Sequence, residues 1–323
     1  MPSESSVVQP CAGGEPLEAI EVIVCGDDDR PLAGLAVVLE SPSKGLQSDV
    51  TDARGRCRFE GVPPGEQTRV TLAELDAAAW ELVAKLPLSA SAAVSTIAPS
   101  WSAFTPRDAP PHMIKVTPGQ CLMKLGYLHG LLPQTLWDHN AARFGAHHSK
   151  FALTPGMQLE VPRRTLRWLD APAGHLVVVH RIGLPVVMTL RVVDAQARPW
   201  AGCSYALSFE GSSRPIATQV GRTDRAGRLH APVLPDVTRG LLTIEPRGGG
   251  RRWRFELNVG RLRPADDPSG AAARLWNLGF REGHNPLWRE GDVLATFQRE
   301  GLEQQPGELD ATSADALVDW HGS

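Results

Sequence analysis

The sequence predicts a multidomain protein that is mainly β with α+β parts: two small β-sandwiches, a βααβ unit between them and a C-terminal three-helix bundle. A chain of 323 residues is too long for one ordinary hydrophobic core and favours roughly two to four domains. Its 31 glycines and 27 prolines favour many turns and short strands. Apolar and polar residues alternate in both predicted sandwiches, and helical spacing replaces this alternation from about residue 268.

The predicted boundaries follow these changes of pattern. The segments are a flexible lead (1–17), a first β-sandwich (18–75), a linker (76–111), the βααβ unit (112–162), a connector (163–185), a second β-sandwich (186–265) and a helical domain (268–323). Within the linker, residues 80–86 either complete the first sandwich or form a short helix. The connector is predicted to be a hairpin that enters the second sandwich.

The charge balance argues against a general affinity for nucleic acid. With 33 Lys and Arg against 36 Asp and Glu, the net charge is -3, so no global basic field attracts phosphate backbones or anionic membranes. No apolar run is long enough for a membrane-spanning helix, and the polar residues 1–14 lack the features of a secretory signal. We therefore expect a protein that is cytoplasmic at synthesis.

Cysteine usage is consistent with a reducing compartment. Five cysteines are scattered along the chain without CxxC spacing, and their odd number leaves at least one unpaired: Cys11, Cys25, Cys57, Cys121 and Cys203. We expect free, mostly packed thiols rather than a disulfide framework.

The first sandwich is predicted from a hairpin motif and its flanking strands. Ile20 to Val24 alternate as a strand, and Thr51-Asp52-Ala-Arg-Gly55 forms a tight hairpin in which Asp bonds its own backbone and Gly takes a positive φ. The segment resembles the carboxypeptidase regulatory-like or transthyretin-like domain, a small β-sandwich.

The same signature occurs a second time. Thr223-Asp224-Arg-Ala-Gly227 matches the first hairpin, and it also follows a strand, a Pro-x-x-Gly turn (residues 199–202) and another strand. The shared order predicts two related all-β sandwiches, one on each side of the central module.

The central module, residues 112–162, has two Pro-Gly turns. It opens with a strand that leads into Thr117-Pro-Gly119 and closes with Thr154-Pro-Gly156 before another strand, and the segment between them is long enough for two short helices. This βααβ pattern resembles a LysM domain, which is best known for binding the N-acetylglucosamine-containing chains of peptidoglycan and chitin.

The LysM resemblance implies a shallow glycan groove between the loop after the first strand and the loop before the second. By position, its residues are Gly119, Gln120, Cys121, Leu122, Phe151, Ala152, Leu153, Pro155 and Gly156. In this family, backbone groups at the Gly turns meet acetamide groups and apolar side chains cover sugar faces. Gln120 and Cys121 stand where the family often has acidic and hydroxyl residues, so weaker polar contacts follow. Trp137 is either a core residue or an exposed platform.

The tail, residues 268–323, resembles the three-helix peptidoglycan-binding domain. The resemblance is carried by Leu-x-x-Leu-Gly-Phe from Leu275, Phe-Gln-x-x-Gly-Leu from Phe297 and Gly-Glu-Leu-Asp-x-Thr from Gly307. Asp310 is expected to cap the last helix. The loop at 281–292 is shorter than in the family and lacks its Asp-Gly and Phe-Gly pairs, so the resemblance does not extend to the sugar-binding loop of this module.

Catalytic motifs are missing from the sequence. It has neither a nucleophile elbow nor a phosphate-binding Gly-rich loop, and Cys121 is interpreted as a small turn residue. His129, His139, His147 and His148 lie within the central module without a zinc-ligand spacing, so surface or packing roles are favoured over a metal site. We expect no enzyme activity, no cofactor and no metal.

The combination of modules resembles accessory proteins of contractile injection machines, especially type VI secretion. That resemblance implies a non-catalytic adaptor whose partners are spike proteins or a secreted effector, and which the machine delivers without a secretory signal. The alternative is a protein that binds peptidoglycan and targets an effector or hydrolase to the cell wall.

Overall fold

A computed structural model describes most of the chain. The described residues are 17–88, 102–103, 110–117, 119–144, 153, 155–194, 196, 198–214, 216–260, 262–263, 265–278, 280 and 293–321. Most of the predicted flexible lead, much of the predicted linker and the loop at 281–292 lie outside them.

Strands dominate the described residues. They are β1 Glu18–Gly26, β2 Ala36–Ser41, β3 Gly45–Val50, β4 Arg56–Val62, β5 Arg69–Leu72, β6 Trp80–Pro87, β7 Ser102–Ala103, β8 His112–Lys115, β9 Gln158–Val161, β10 Leu169–Asp170, β11 His175–Arg181, β12 Val186–Arg191, β13 Ser204–Glu210, β14 Gln219–Arg222, β15 Arg228–Val233, β16 Arg239–Glu245 and β17 Trp253–Asn258. The helices are α1 Leu122–His129, α2 Pro133–Phe144, α3 Pro268–Leu278, α4 Val293–Thr296, which continues as a π-helical turn Phe297–Gly301, and α5 Ala311–His321; a 3-10 turn covers Ala77–Ala79. The prediction of a multidomain, mainly β protein is confirmed.

The chain forms two compact units. The first comprises residues 1–108 and 165–182, and the second comprises residues 109–164 and 183–323.

The first unit is a β-sandwich with sheets ordered β4-β1-β11-β6 and β10-β5-β2-β3-β7. Alternate residues of β1 point into the core, so Ile20, Val22 and Val24 are at most 1% exposed. Phe59 and Trp80 are the largest fully buried side chains of this core. β1 runs antiparallel to β4 and parallel to β11.

Four strands of this sandwich come from segments that the sequence assigns elsewhere: β6 and β7 from the predicted linker, and β10 and β11 from the predicted connector. β6 lies in the predicted linker, where completing the first sandwich was one of two alternatives. β11 lies in the predicted connector but pairs with β1 and β6, so the expected hairpin into the second sandwich is not what these residues form. The physical reason is that parallel pairing joins strands far apart in sequence, which leaves no local turn signal.

The second unit contains another sandwich. One sheet consists of β12 and β15, and the other is ordered β14-β13-β16-β17. Its core contains Leu207 and Ile244, both 0% exposed, together with Leu229 and Ala231.

In both sandwiches, the threonine hydroxyl at the start of the Asp-x-x-Gly hairpin makes the same two hydrogen bonds to the turn that precedes a strand, β2 in the first and β13 in the second. In the first, Thr51 Oγ1 donates to the carbonyl of Leu32 at 2.7 Å and accepts from Leu35 N–H at 3.0 Å. In the second, Thr223 Oγ1 donates to the carbonyl of Trp200 and accepts from Cys203 N–H at 2.9 Å. The repeated sequence signature therefore corresponds to a repeated hydrogen-bond network.

The hairpins that follow are matched as well. The Asp52 carboxylate accepts from the N–H of Arg54 and Arg56 at 2.8 and 2.9 Å. The Asp224 carboxylate accepts from the N–H of Ala226 and Arg228 at 2.8 and 2.7 Å. These are the self-bonding Asp turns that the sequence predicts.

The second unit also contains the βααβ element order. β8 and β9 pair antiparallel, and α1 and α2 lie between them in sequence. α1 ends at Gly130, whose positive φ of 70° lets its N–H reach carbonyls of the last turn. α2 begins at Pro133, whose fixed φ suits a first helical position.

The C-terminal helices of the second unit share a small core. Leu275, Phe297 and Leu317, one from each of three helical segments, are 0–3% exposed. The Asp310 carboxylate accepts from Ser313 N–H at 2.8 Å, which confirms the expected cap of α5. Hydrogen bonds from Ser313 lower the pKa of Asp310.

Candidate functional site

The two Pro-Gly turns of the βααβ unit meet at a pair of hydrogen bonds. Val116 N–H donates to the Met157 carbonyl at 2.8 Å, and Gly156 N–H donates to the Val116 carbonyl at 2.9 Å. Gly119 and Gly156 have φ of 82° and 97°, a region that favours glycine. The structure therefore holds the start of the first predicted groove loop beside the end of the second.

Polar groups of the first loop are largely used within the loop. Gln120 folds back so that its Oε1 accepts from Thr117 N–H at 2.8 Å. Cys121 is exposed at the N-cap of α1, where its side chain makes no capping hydrogen bond. The side-chain carbonyl oxygen of Gln120 thus accepts a hydrogen bond within the turn and is not directed at a ligand.

The apolar residues expected to cover sugar faces pack elsewhere. Leu122 and Leu153 are 7% and 4% exposed and belong to the core of the βααβ unit, with Leu159 at 0%. These two side chains have little surface left for a sugar ring, and their role in a glycan groove stays a prediction. Phe151 and Ala152 lie outside the described residues.

The other described groove residues differ in exposure. Pro155 and Gly156 are exposed, and Gly119 and Gln120 are half-exposed. Trp137 packs against the core as a partly buried residue, which favours the core alternative over an exposed platform.

Asn140 makes a contact that sequence reasoning missed. Its side chain is fully buried; Nδ2 donates to the carbonyls of Leu136 and Glu160, and Oδ1 accepts from Glu160 N–H, each at 2.8 Å. It thereby satisfies the outward backbone groups of β9. The available signal was an amide four residues after Leu136, on the apolar face of α2.

We expect Asn140→Ala to lower the free energy of unfolding of the βααβ unit by about 2 kcal/mol, since it strips partners from half-buried backbone groups. Amide hydrogen exchange within residues 112–161 measures this effect. The exposed neighbour Asp138→Ala is the control and should change it by less than about 0.5 kcal/mol. Equal protection in both variants would contradict the structural role.

A histidine pair lies beside α1. The rings of His112 and His129 have centroids 5.4 Å apart. Burial, followed by the charges of His112 and Arg164, lowers the pKa of His129 below its ordinary value of 6.5. The folded unit therefore favours neutral His129.

This shift predicts a pH dependence. Because the unfolded chain binds the proton more readily, stability is present above about pH 6.5 and is lost as the pH falls through the lower folded pKa. Urea titrations followed by NMR signals of the βααβ unit should show a lower midpoint at about pH 5.5 than at about pH 7.5. His129→Gln should flatten that difference, and an unaltered difference would assign it to other groups.

The other candidate groups that the structure describes lie apart from one another. His139 Nε2 lies 3.7 Å from a Glu160 carboxylate oxygen, which also accepts from Arg143, and His147 and His148 fall outside the described residues. Within the described ranges, no three His, Cys, Asp or Glu side chains come together as a metal site. Burial, with smaller contributions from Asp49 and Asp52, strongly raises the pKa of the Cys57 thiol.

Among the described residues, no helix is long and apolar enough to span a membrane.

Comparisons with known proteins give weak likenesses only. No family model matches, and no curated protein sequence matches. Among solved structures, the chain is similar to the Bacillus anthracis TIE protein (TM-score 0.24, 10% identity, 76% of this chain and 32% of that one). It is also similar to the Streptococcal ancillary pilin (0.21, 10%, 76% and 59%) and to the shaft pilin SpaA from Lactobacillus rhamnosus GG (0.24, 9%, 75% and 94%).

The chain thus spans 32% and 59% of the first two of these structures. At TM-scores of 0.21 to 0.24, the likenesses carry no argument about family or function.

Proposed function

We propose that this protein is a non-catalytic adaptor of a type VI secretion spike, which docks the spike or its effector cargo through small modules. The proposal treats the βααβ unit as LysM-like, both sandwiches as carboxypeptidase regulatory-like and the tail as peptidoglycan-binding-like. It rests on the sequence motifs of these modules and on their order.

One observation favours docking over glycan binding. Leu122 and Leu153, which the glycan reading needs at the surface, are 7% and 4% exposed. The Gln120 carbonyl is bonded to Thr117 N–H. A βααβ unit with this surface supports a protein contact better than a stack of apolar side chains on sugar.

Co-expression with a type VI secretion spike protein and with an effector from the same genome tests the adaptor function. The full chain is expected to co-purify with one of them at a fixed stoichiometry in size-exclusion chromatography. Its failure to co-purify with either protein would overturn the adaptor function.

The alternative function is peptidoglycan binding. It is favoured by the open backbone at Gly156, where an added Cβ meets nothing within 4 Å, and by the exposure of Cys121 and Pro155. Sedimentation with purified sacculi tests it: pelleting of the full chain that Cys121→Trp abolishes would establish the groove as a glycan site. Val220→Trp, on a strand that is 76% exposed at that residue, is the matched control.

A further inference from the structure

Among the described residues, β12 of the second sandwich has a neighbouring strand on one side only, whereas its counterpart in the first sandwich has one on each side. By their place in the repeated network, β1 corresponds to β12, and β4 to β15. β1 pairs with β4 on one edge and with β11 on the other. β12 pairs with β15, and among the described residues no strand pairs with its other edge.

The core-facing residues of these two strands differ in exposure accordingly. Ile20 and Val22 of β1 are 0% and 1% exposed. The corresponding residues of β12, Met188 and Leu190, are only half-buried although they pack against the same kind of core. The missing neighbour leaves part of the apolar face of β12 open.

The four-stranded sheet of this sandwich also has exposed apolar side chains, on its edge strand β17. Trp253 and Phe255 of β17 pair with Ile244 and Leu242, and residues directly opposite in an antiparallel pair share a face, so both aromatic side chains point inward. Ile244 and Leu242 are 0% and 3% exposed, whereas Trp253 and Phe255 are 47% and 39% exposed.

The order of the strands explains this difference. β14 and β17 are the two ends of the four-stranded sheet, and β15 lies near β14. The edge of β12 that faces away from β15 therefore lies on the side of β17. A strand added to β12 would cover the aromatic pair of β17.

Backbone groups at this edge are also directed outward. Val192 N–H donates to the Gly227 carbonyl at 2.8 Å, which fixes the alternation of the β12–β15 ladder. Hydrogen bonds in an antiparallel pair alternate, so the N–H and C=O groups of Thr189 and Arg191 point away from β15. They form the kind of edge that accepts an extended peptide.

We propose that an extended segment of a partner protein adds to β12 as a parallel strand and completes the second sandwich. The strand β11 of the first sandwich shows which side chains suit this position in the partner segment. β11 runs parallel to β1 and buries Val177 and Val179 on its inner side, at 0% and 1% exposed. The partner segment therefore has apolar residues at alternate positions. None of the described residues that follow β17 lies in a strand, so they supply no such neighbour.

This inference deepens the proposed adaptor function, on which it rests for the class of partner. The probe is a fluorescein-labelled peptide with the sequence of residues 174–182, titrated with the full chain and followed by fluorescence anisotropy. We expect saturable binding with a Kd below about 1 mM. Amide exchange should show new protection in residues 186–193.

Two variants at one position separate strand addition from other modes of binding. Thr189→Pro removes an outward N–H, which an edge strand tolerates, and should weaken peptide binding at least about tenfold. Thr189→Ala loses only the exposed contact between Thr189 Oγ1 and His230 Nδ1 at 3.0 Å and should bind like the wild type. Circular dichroism checks that both variants stay folded.

Several outcomes would overturn the inference. These are no binding at about 1 mM, binding that Thr189→Pro leaves intact, and protection confined to β1 of the first sandwich. A wild-type oligomer that Thr189→Pro disperses would assign the edge to a second copy of this chain. Peptide binding without spike or effector co-purification would overturn the adaptor function alone, and the reverse result would overturn the strand site alone.

Discussion

Val37→Asp is expected to unfold the first sandwich at ordinary temperature. Val37 is 0% exposed in β2, and the change places a carboxylate in an apolar core without a partner. An unpaired buried charge costs about 3–5 kcal/mol, a large part of the stability of a small domain. Hydrogen–deuterium exchange is expected to show loss of protection over β1 to β5. Val50→Asp, on a residue of β3 that is 54% exposed, is the control and should leave protection unchanged.

Leu207→Asp tests the same argument in the second sandwich. Leu207 is also 0% exposed, and loss of protection is expected over β12 to β16 for the same reason. Val220→Asp is the matched control at 76% exposure. Exchange is preferable to one melting temperature because a chain of several units does not unfold in a single two-state step. Unchanged protection in both core variants would mean that the strand faces are assigned wrongly.

The elements that local sequence predicted are those whose signals lie within a few residues. The Asp-x-x-Gly hairpins were predicted because the Asp52 and Asp224 carboxylates bond backbone N–H groups two and four residues later. β11 was assigned to a connector because its pairing with β1 depends on residues far away in sequence. Period-2 alternation identifies a strand and its inner face, but it does not identify the neighbouring strand.

The candidate groove shows the same division. The two Pro-Gly turns are visible in the sequence, and the structure gives Gly119 and Gly156 a positive φ. Whether Leu122 and Leu153 face a ligand or the core depends on how α1 and α2 pack, and no spacing in the sequence decides that. Asn140 escaped prediction because an isolated amide in a helix does not indicate the strand whose backbone it satisfies.

The two sandwiches share one strand arrangement and differ at one sheet edge. In the first sandwich, the edge of β1 is closed by a strand from the same chain, and its core is fully buried. In the second, no strand among the described residues pairs with the same edge, and half-exposed aromatic residues lie across from it. The proposed partner strand would cover this apolar surface.

Gly55→Ala is expected to destabilise the first sandwich by about 4 kcal/mol. Gly55 has a φ of 68°, where a side chain costs about 1–2 kcal/mol. A Cβ there would also lie 2.4 Å from the backbone carbonyl oxygen of Val24, and relieving such overpacking costs about 1–3 kcal/mol more. Val24 N–H donates to the Gly55 carbonyl at 2.8 Å, so the hairpin cannot move away without breaking its attachment to β1.

Gly227→Ala is expected to have a similar effect on the second sandwich, because its Cβ would lie 2.5 Å from the carbonyl oxygen of Val192. Gly45→Ala separates the two contributions: its φ is 74°, but nothing lies within 4 Å of an added Cβ, so it should cost only about 1–2 kcal/mol. Residue-resolved exchange under native conditions measures all three variants. If Gly55→Ala and Gly45→Ala lower the free energy of unfolding equally, the close approach of hairpin and strand contributes nothing to stability. The geometry that Gly55 and Gly227 share would then reflect backbone conformation alone.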